Sequence, residues 1–240
     1  LKRRQNHSAD ALDYFLRAAD LAPDCFEVQY ALADAYRRTG DNEKSLSLGE
    51  SLVALYPQNV KVLELCAETS FTLGYSAKAE QYVVRVLLIE PENASYVLLR
   101  ARLLMDKGDF IKASSLLDLY SRTDHTSLNY LLLRARLQRD WNKNTTAAGA
   151  TMEQALSLYP ENREVLVFAA QLASSANMKI AGRTAVSLAK QILSMEPDNY
   201  DALVINMNEL TKMGDWKGAY DISSTLVNKK DCPQEIIFTH

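Results

Sequence analysis

Residues 26–59 read FEVQYALADAYRRTGDNEKSLSLGESLVALYPQN, and the order of signals inside this stretch decides the fold. Leu32, Ala33 and Tyr36 precede the pair Gly40–Asp41, and Pro57 and Asn59 close the stretch. A glycine suits the left-handed residue that ends a helix. An aspartate directly after it caps the next helix, and an asparagine two residues after a proline caps another. The spacing predicts two helices joined by a tight turn, with a new helix opening at the far end.

The same signals recur outward in both directions. All six prolines, Pro23, Pro57, Pro91, Pro160, Pro197 and Pro233, belong to one series, with steps of 34 and 34, an empty slot at His125, then 35, 37 and 36. Gly40, Gly74 and Gly108 are 34 apart, and Gly214 lies 17 residues past Pro197, as the others lie 17 past their slots. Asp41, Asp109 and Asp215 each follow a turn glycine, and Asn59, Asn93, Asn162 and Asn199 each lie two residues past a proline. Small residues recur where paired helices must cross: Ala33, Ala67, Ala101, Ala135 and Ala170 in first helices, and Ala11, Ala79, Ala113, Ala148, Ala185 and Ala219 in second helices. Apolar residues fall at helical spacing, as in Val83, Val86 and Leu87, and no sustained period-2 segment or Asn-Gly hairpin signal is present. Each period therefore holds two helices of about 13–15 residues.

This pattern resembles the tetratricopeptide repeat family, whose unit is a 34-residue helix–turn–helix. Residues 26–59 carry the best match, and residues 8–23 carry the second-helix half, with Ala11, Phe15, Ala18 and Pro23. The resemblance covers essentially the whole chain. It implies an all-α fold, a right-handed superhelical solenoid of stacked antiparallel helix pairs. A single array over 1–240 is expected: a partial repeat at 1–24, comprising the tail of one helix and a complete second one, then full repeats at 26–59, 60–93, 94–127, 128–162, 163–199 and 200–233, and the start of a further helix at 234–240. No polar capping helix is evident at either end. Such arrays need their ends covered, so the expectation is a fragment of a longer array or ends covered by another segment or subunit, with self-association through uncapped ends as a third option. Extra residues near Trp141–Thr146 and Asn177–Gly182 are expected to sit in turns, where length costs little.

Composition narrows the function. At 48% hydrophobic and 24% charged residues, the chain is neither disordered nor fibrous. A net charge of −3 supplies no general field for nucleic acid, and no apolar run reaches membrane-spanning length. Cys25, Cys66 and Cys232 are isolated, so neither a metal knuckle nor a disulfide framework is indicated. Reduced thiols lean towards the cytoplasm; because the first residue is Leu1, a leader or anchor removed upstream stays open. Signatures of catalysis are missing: there is no HExxH, P-loop, GxGxxG or GxSxG, and His7, His125 and His240 stand apart. His125 reads as an exposed loop histidine, and the N-x-Ser/Thr triplets at Asn6, Asn93 and Asn144 read as chance. No enzyme activity, cofactor or metal is expected.

Carrying the family's inner-face phase onto this sequence gives a concave face of first-helix residues: Tyr30, Asp34 and Arg37; Lys61, Glu64, Glu68 and Phe71; Leu98, Arg102 and Met105; Leu132, Arg136 and Arg139; Val167 and Gln171; Val204 and Asn208. Leu98, Leu132, Val167 and Val204 make an apolar strip suited to a peptide or to another part of the same protein. Arg102, Arg136 and Arg139 make a basic cluster suited to an acidic peptide, since guanidinium binds carboxylate bidentately. The competing expectation is pairing on the same helix, Arg102 with Asp106 and Arg136 with Asp140. Arg100 and Arg134 stand where the family carries apolar residues, so each must reach solvent or a carboxylate, with Glu64, Glu68 and Asp106 as candidates. The subtype that clamps chaperone tails with Lys and Asn is not matched, because the corresponding positions are Tyr30, Asp34, Leu65, Ser95 and Leu99. The resemblance thus implies a non-catalytic scaffold that binds a protein or peptide in its groove. The alternative is the regulatory or substrate-recruiting part of a larger enzyme or secretion or envelope-assembly machine.

Overall fold

The capping pattern is the element of the sequence that shapes the backbone most directly, and a computed structural model of the chain, which describes residues 2–227 and the side chains of 12–227, shows it at work. Readings on Cys232, Pro233, His240 and 234–240 lie outside the described residues, as do the side chains of Asn6, His7 and Ala11. Thirteen helices are present among the described residues: α1 Lys2–Leu21, α2 Phe26–Thr39, α3 Asn42–Leu55, α4 Val60–Thr72, α5 Ser76–Ile89, α6 Ala94–Asp106, α7 Phe110–Tyr120, α8 Leu128–Asp140, α9 Thr145–Leu158, α10 Arg163–Ser175, α11 Ala185–Met195, α12 Tyr200–Met213 and α13 Trp216–Val227. No strand forms among them. The one β-bridge joins Ile180 to Arg183.

From α2 onward the helices come in pairs, and the turn chemistry is the expected one. Gly40, Gly74, Gly108 and Gly214 all have φ between 77° and 89°, the left-handed region. Asp41, Asp109 and Asp215 accept hydrogen bonds from the backbone N–H groups of Lys44, Lys112 and Gly218. Asn59, Asn162 and Asn199 accept from Val62, Val165 and Ala202. Asn93 departs from the series: it holds the N-cap position of α6 without a side-chain capping bond. Its amide donates instead to Glu64 Oε1 at 3.3 Å and Glu90 Oε2 at 2.9 Å.

Asn199 is only 5% exposed, and its carboxamide satisfies the Ala202 N–H at 3.0 Å. Asn199→Ala leaves that donor unpaired in a dry setting. The expected cost is about 1–2 kcal/mol, read as a lower midpoint in urea unfolding, whereas the exposed cap Asn144 should cost less on the same substitution.

The N-terminal region differs from expectation. Residues 1–24 were expected to hold the end of one helix and a whole second one, but α1 runs unbroken through Lys2–Leu21. The physical reason is the missing breaker: one 34-residue period before Gly40 stands Asn6, and no glycine or proline occurs before Pro23.

The helices divide into two compact units between Leu116 and Leu117, inside α7. In the first unit α1 packs on α2, α2 on α3, α3 on α4, α4 on α5 and α5 on α6, while α2 also touches α4. In the second the same order runs from α8 to α13, and α10 also touches α12. Each unit is an all-α stack of helical repeats. The small residues sit at the crossings: Ala33, Ala67, Ala79, Ala101, Ala113, Ala135, Ala148 and Ala170 are fully buried, and Ala185 and Ala219 nearly so. Leu63, Val62, Cys66, Val83 and Val86 form the centre of the first unit's core. Burial pushes the Cys66 thiol up to about 12, which fits a structural, unreactive role.

The extra residues do fall in turns. In the α8–α9 turn, Lys143 takes the left-handed conformation (φ 52°) that glycine supplies elsewhere. The α10–α11 turn is more elaborate: Asn177, Ala181 and Gly182 all have positive φ, and Ile180 is fully buried. The Ala181 N–H donates to Glu153 on α9, and Arg183 donates to Gln191 on α11.

Candidate functional site

In the first unit the first helices α2, α4 and α6 present a connected polar face. Asp34 lies one turn before Arg37 and Arg38 on α2, so both guanidinium groups close on it, Arg37 at 2.7 Å and Arg38 at 2.6 Å. Arg37 also reaches Glu68 on α4 at 3.2 Å. The Tyr96 hydroxyl of α6 donates to the other oxygen of Glu68 at 3.2 Å. The chain of contacts Asp34–Arg37–Glu68–Tyr96 therefore stitches three consecutive repeats together. Burial, followed by the nearby Asp34 and Glu64 carboxylates, raises the Tyr30 hydroxyl above its ordinary range.

Burial pushes the Asp34 carboxyl upward, but the hydrogen bonds from Arg37 and Arg38 outweigh it and hold the group below the usual aspartate range. A lowered folded-state value means stability that is present above the unfolded value of about 3.9 and lost as pH falls through the folded value. Asp34→Asn should therefore be less stable than wild type at pH 7. The two unfolding midpoints should converge as the pH falls below the lowered folded-state value of Asp34, where the wild-type carboxyl is itself protonated. A gap that persisted there would assign the effect to packing.

Arg102 on α6 is exposed and lies over the Phe71 ring of α4, 4.8 Å from its centroid. It makes no ion pair with Asp106 or any other carboxylate among the described residues. Leu98 and Met105, expected on the ligand-facing side, are each only 5% exposed. They lie three before and four after Ala101, itself fully buried, and so belong to the packing stripe of α6. They are not available to a ligand.

In the second unit, Arg139 on α8 stacks on Phe168 of α10 at 4.6 Å and binds its neighbour Asp140 through two nitrogens at 2.6 and 3.0 Å. Those bonds hold the Asp140 carboxyl below its usual range. The expected pair Arg136–Asp140 is thereby displaced: Asp140 belongs to Arg139, and Arg136 is half-buried with no ion pair among the described residues. Leu132, Val167, Gln171 and Val204 are half-buried and Asn208 is exposed. Ser174 on α10 donates to Glu209 on α12 at 2.6 Å, and Lys212 binds both.

The two arginines in family-apolar positions part ways. Arg134 pairs with Asp118 at 2.7 Å, a partner outside the expected set. One period before Asp118 stands Val84, so Arg100 has no equivalent carboxylate, and its buried Nε has no hydrogen-bond partner.

A cleft of about 480 Å³ opens in the first unit, lined by Phe26, Asn59, Val60, Lys61, Glu64 and Glu90. Of these only Lys61 and Glu64 were in the sequence-derived face. The others lie at helix ends, which a reading based on helical phase does not reach. Burial raises the Glu64 carboxyl, the Asn93 amide opposes it, and Glu90 and Glu68 raise it further. A second cleft of about 480 Å³ between α3 and α5 has its charges already matched, with Lys78 on Glu50 at 2.7 Å and the Tyr75 hydroxyl on Glu43 at 2.7 Å. Among the described residues no group of three metal-ligating side chains occurs, and no helix is long and apolar enough to cross a membrane.

Residues 1–60 match the family model described as tetratricopeptide repeat. No curated protein sequence matches the chain. Among solved structures, a tetratricopeptide repeat protein from Parabacteroides merdae superposes with a TM-score of 0.76 at 16% identity, over 97% of this chain and 90% of that one. PilW, a widely conserved type IV pilus biogenesis factor, gives 0.74 at 18% identity, over 88% and 96%. YrrB, a protein of the same repeat type with an unusual peptide-binding site, gives 0.56 at 12% identity, over 80% and 97%. At these identities the likeness is one of fold.

Proposed function

We propose that this chain, whose residues 1–60 match the tetratricopeptide repeat model and whose fold is that of solved proteins of that repeat type, is a non-catalytic scaffold whose first-helix faces bind a protein segment, with an acidic group of that segment on Arg102. The fold is that of a protein-interaction scaffold in general; the face and the acidic chemistry are our reading. One observation carries it. Most cations on these faces are already engaged: Arg37 and Arg38 with Asp34, Arg139 with Asp140, Lys212 with Glu209. Arg102 is exposed, lies over the Phe71 ring at 4.8 Å and has no carboxylate partner among the described residues. A guanidinium fixed by stacking has little freedom left to lose when it meets a carboxylate. Arg136 offers the same group in the second unit, less exposed.

The test is selection of a random peptide display library on the whole 240-residue chain, followed by titration of the selected peptides. Peptides containing Asp or Glu whose binding is lost in Arg102→Glu support the reading. Peptides that bind the variant equally move the site off this face, and failure to select any peptide defeats it.

A further inference from the structure

We infer that the cleft bounded by Phe26, Val60, Glu64 and Glu90 is the subsite for one lysine or arginine side chain of the bound segment, so that the first unit reads a basic and an acidic residue together. The inference rests on the proposed peptide-binding role and adds to it the second charge of the ligand.

Four observations bear on it. The cleft is an open space of about 480 Å³, not a bare cluster of acids. Its two carboxylates lack a cation: Glu64 and Glu90 share the single Asn93 amide, at 3.3 and 2.9 Å, and neither forms an ion pair among the described residues. Three other glutamates of the unit each hold a cation, Glu50 with Lys78, Glu68 with Arg37 and Glu80 with Lys107. Lys61 also lines the cleft but pairs with neither acid. Third, Asn93 has left its capping role to serve both carboxylates, unlike Asn59, Asn162 and Asn199. Fourth, the walls suit the stem of a long cation. Phe26 is fixed against Tyr56 and Tyr30, at ring distances of 4.7 and 6.1 Å, and Val60 adds an apolar surface. Such walls take the methylenes of lysine or arginine while the head meets the carboxylates.

The geometry also sets the ligand's spacing. Glu64 and Phe71, on which Arg102 stacks, lie seven residues apart on one face of α4, roughly 10 Å along a helix. An extended peptide covers that distance in about three residues. The fitting segment therefore carries Lys or Arg and Asp or Glu about three positions apart.

The display selection tests this. Wild type is expected to enrich Lys or Arg at one fixed position, about three residues from the enriched Asp or Glu. Selection on Glu64→Gln/Glu90→Gln should keep the acidic preference and lose the basic one. A selected peptide with its lysine replaced by norleucine should bind wild type about tenfold or more weakly, and should bind the double variant as the parent peptide does. Glutamine keeps the shape and the Asn93 bond; if far-UV circular dichroism shows the double variant misfolded, Glu90→Gln alone, at the exposed end of α5, takes its place with a smaller drop expected. Peptides chosen through Arg102 without any basic enrichment, or basic peptides indifferent to the glutamine variants, overturn the cleft and leave the scaffold reading standing. No selected peptide on wild type removes both.

Discussion

Leu63→Ala is expected to lower the stability of the first unit by about 2–5 kcal/mol, the range for deleting a buried leucine side chain that neighbours cannot refill. Leu63 is fully buried at the centre of a core drawn from α2 to α6, with Val62, Cys66, Ala67, Val83 and Val86 around it. Its neighbours on α4 are themselves locked at crossings, where Ala67 lets a second helix approach, so collapse into the cavity is resisted. In an array each repeat is stabilised by the next, so the loss should extend beyond α4. Far-UV circular dichroism should show the urea midpoint falling by about 1–2 M. Both tryptophans, Trp141 and Trp216, lie in the second unit, so their fluorescence reports that unit separately. Amide exchange should accelerate most in α2–α5. An unchanged midpoint in circular dichroism would show that the site relaxes fully, against the tight packing described.

Arg102→Glu is expected to weaken a selected acidic peptide by at least 10–100-fold, the value of one charge-assisted hydrogen bond of about 1.5–3 kcal/mol, with repulsion added by the reversed charge. Arg102→Lys should lose less, because the ammonium keeps the charge but not the stacked, planar fork. Phe71→Leu should fall between wild type and the charge reversal: the guanidinium remains but is no longer held. Neither Arg102 variant should move the unfolding midpoint by much, since Arg102 is exposed and forms no ion pair among the described residues, whereas Phe71 packs against the core and Phe71→Leu should lower the midpoint somewhat. Calorimetric titration at two salt concentrations checks the ordering, with the wild-type affinity falling as salt rises. Equal affinities for wild type and Arg102→Glu would place the acidic group elsewhere.

Much of the fold was readable because its punctuation is local. Left-handed glycines, aspartate caps and asparagine caps act within one turn of themselves, and the helices begin and end where Gly40, Asn59 and their counterparts require. Long-range pairing was not readable in the same way. Arg102 chose Phe71, on the first helix of the preceding repeat, over Asp106 one turn ahead. Arg134 chose Asp118 across a turn, and Asn93 traded its cap for two carboxylates from other helices. Helical phase alone also misassigned Leu98 and Met105, since a stripe centred on Ala101 admits them as readily as a ligand-facing stripe does. The unbroken α1 followed from an absence, the missing glycine at Asn6, which a search for recurring signals passes over.

The α10–α11 turn bears on how such a chain can change in length. Most junctions here are generic: proline, cap, helix, and a neighbour of matching form. The joint between α9 and α11 is keyed. A Cβ on Gly149 would lie 2.6 Å from Met178 Cε, and Glu153 holds the Ala181 N–H from the same helix. A repeat duplicated or deleted at one of the generic junctions would meet a compatible surface. One inserted between these two would need a glycine and a methionine in register, or would leave a left-handed loop without its anchor. This joint, like the approach of Gly49 on α3 to Cys66 on α4, where a Cβ would lie 2.7 Å from the sulfur, gives an otherwise interchangeable series a fixed reading order, and gain or loss of repeats should be tolerated least at such places.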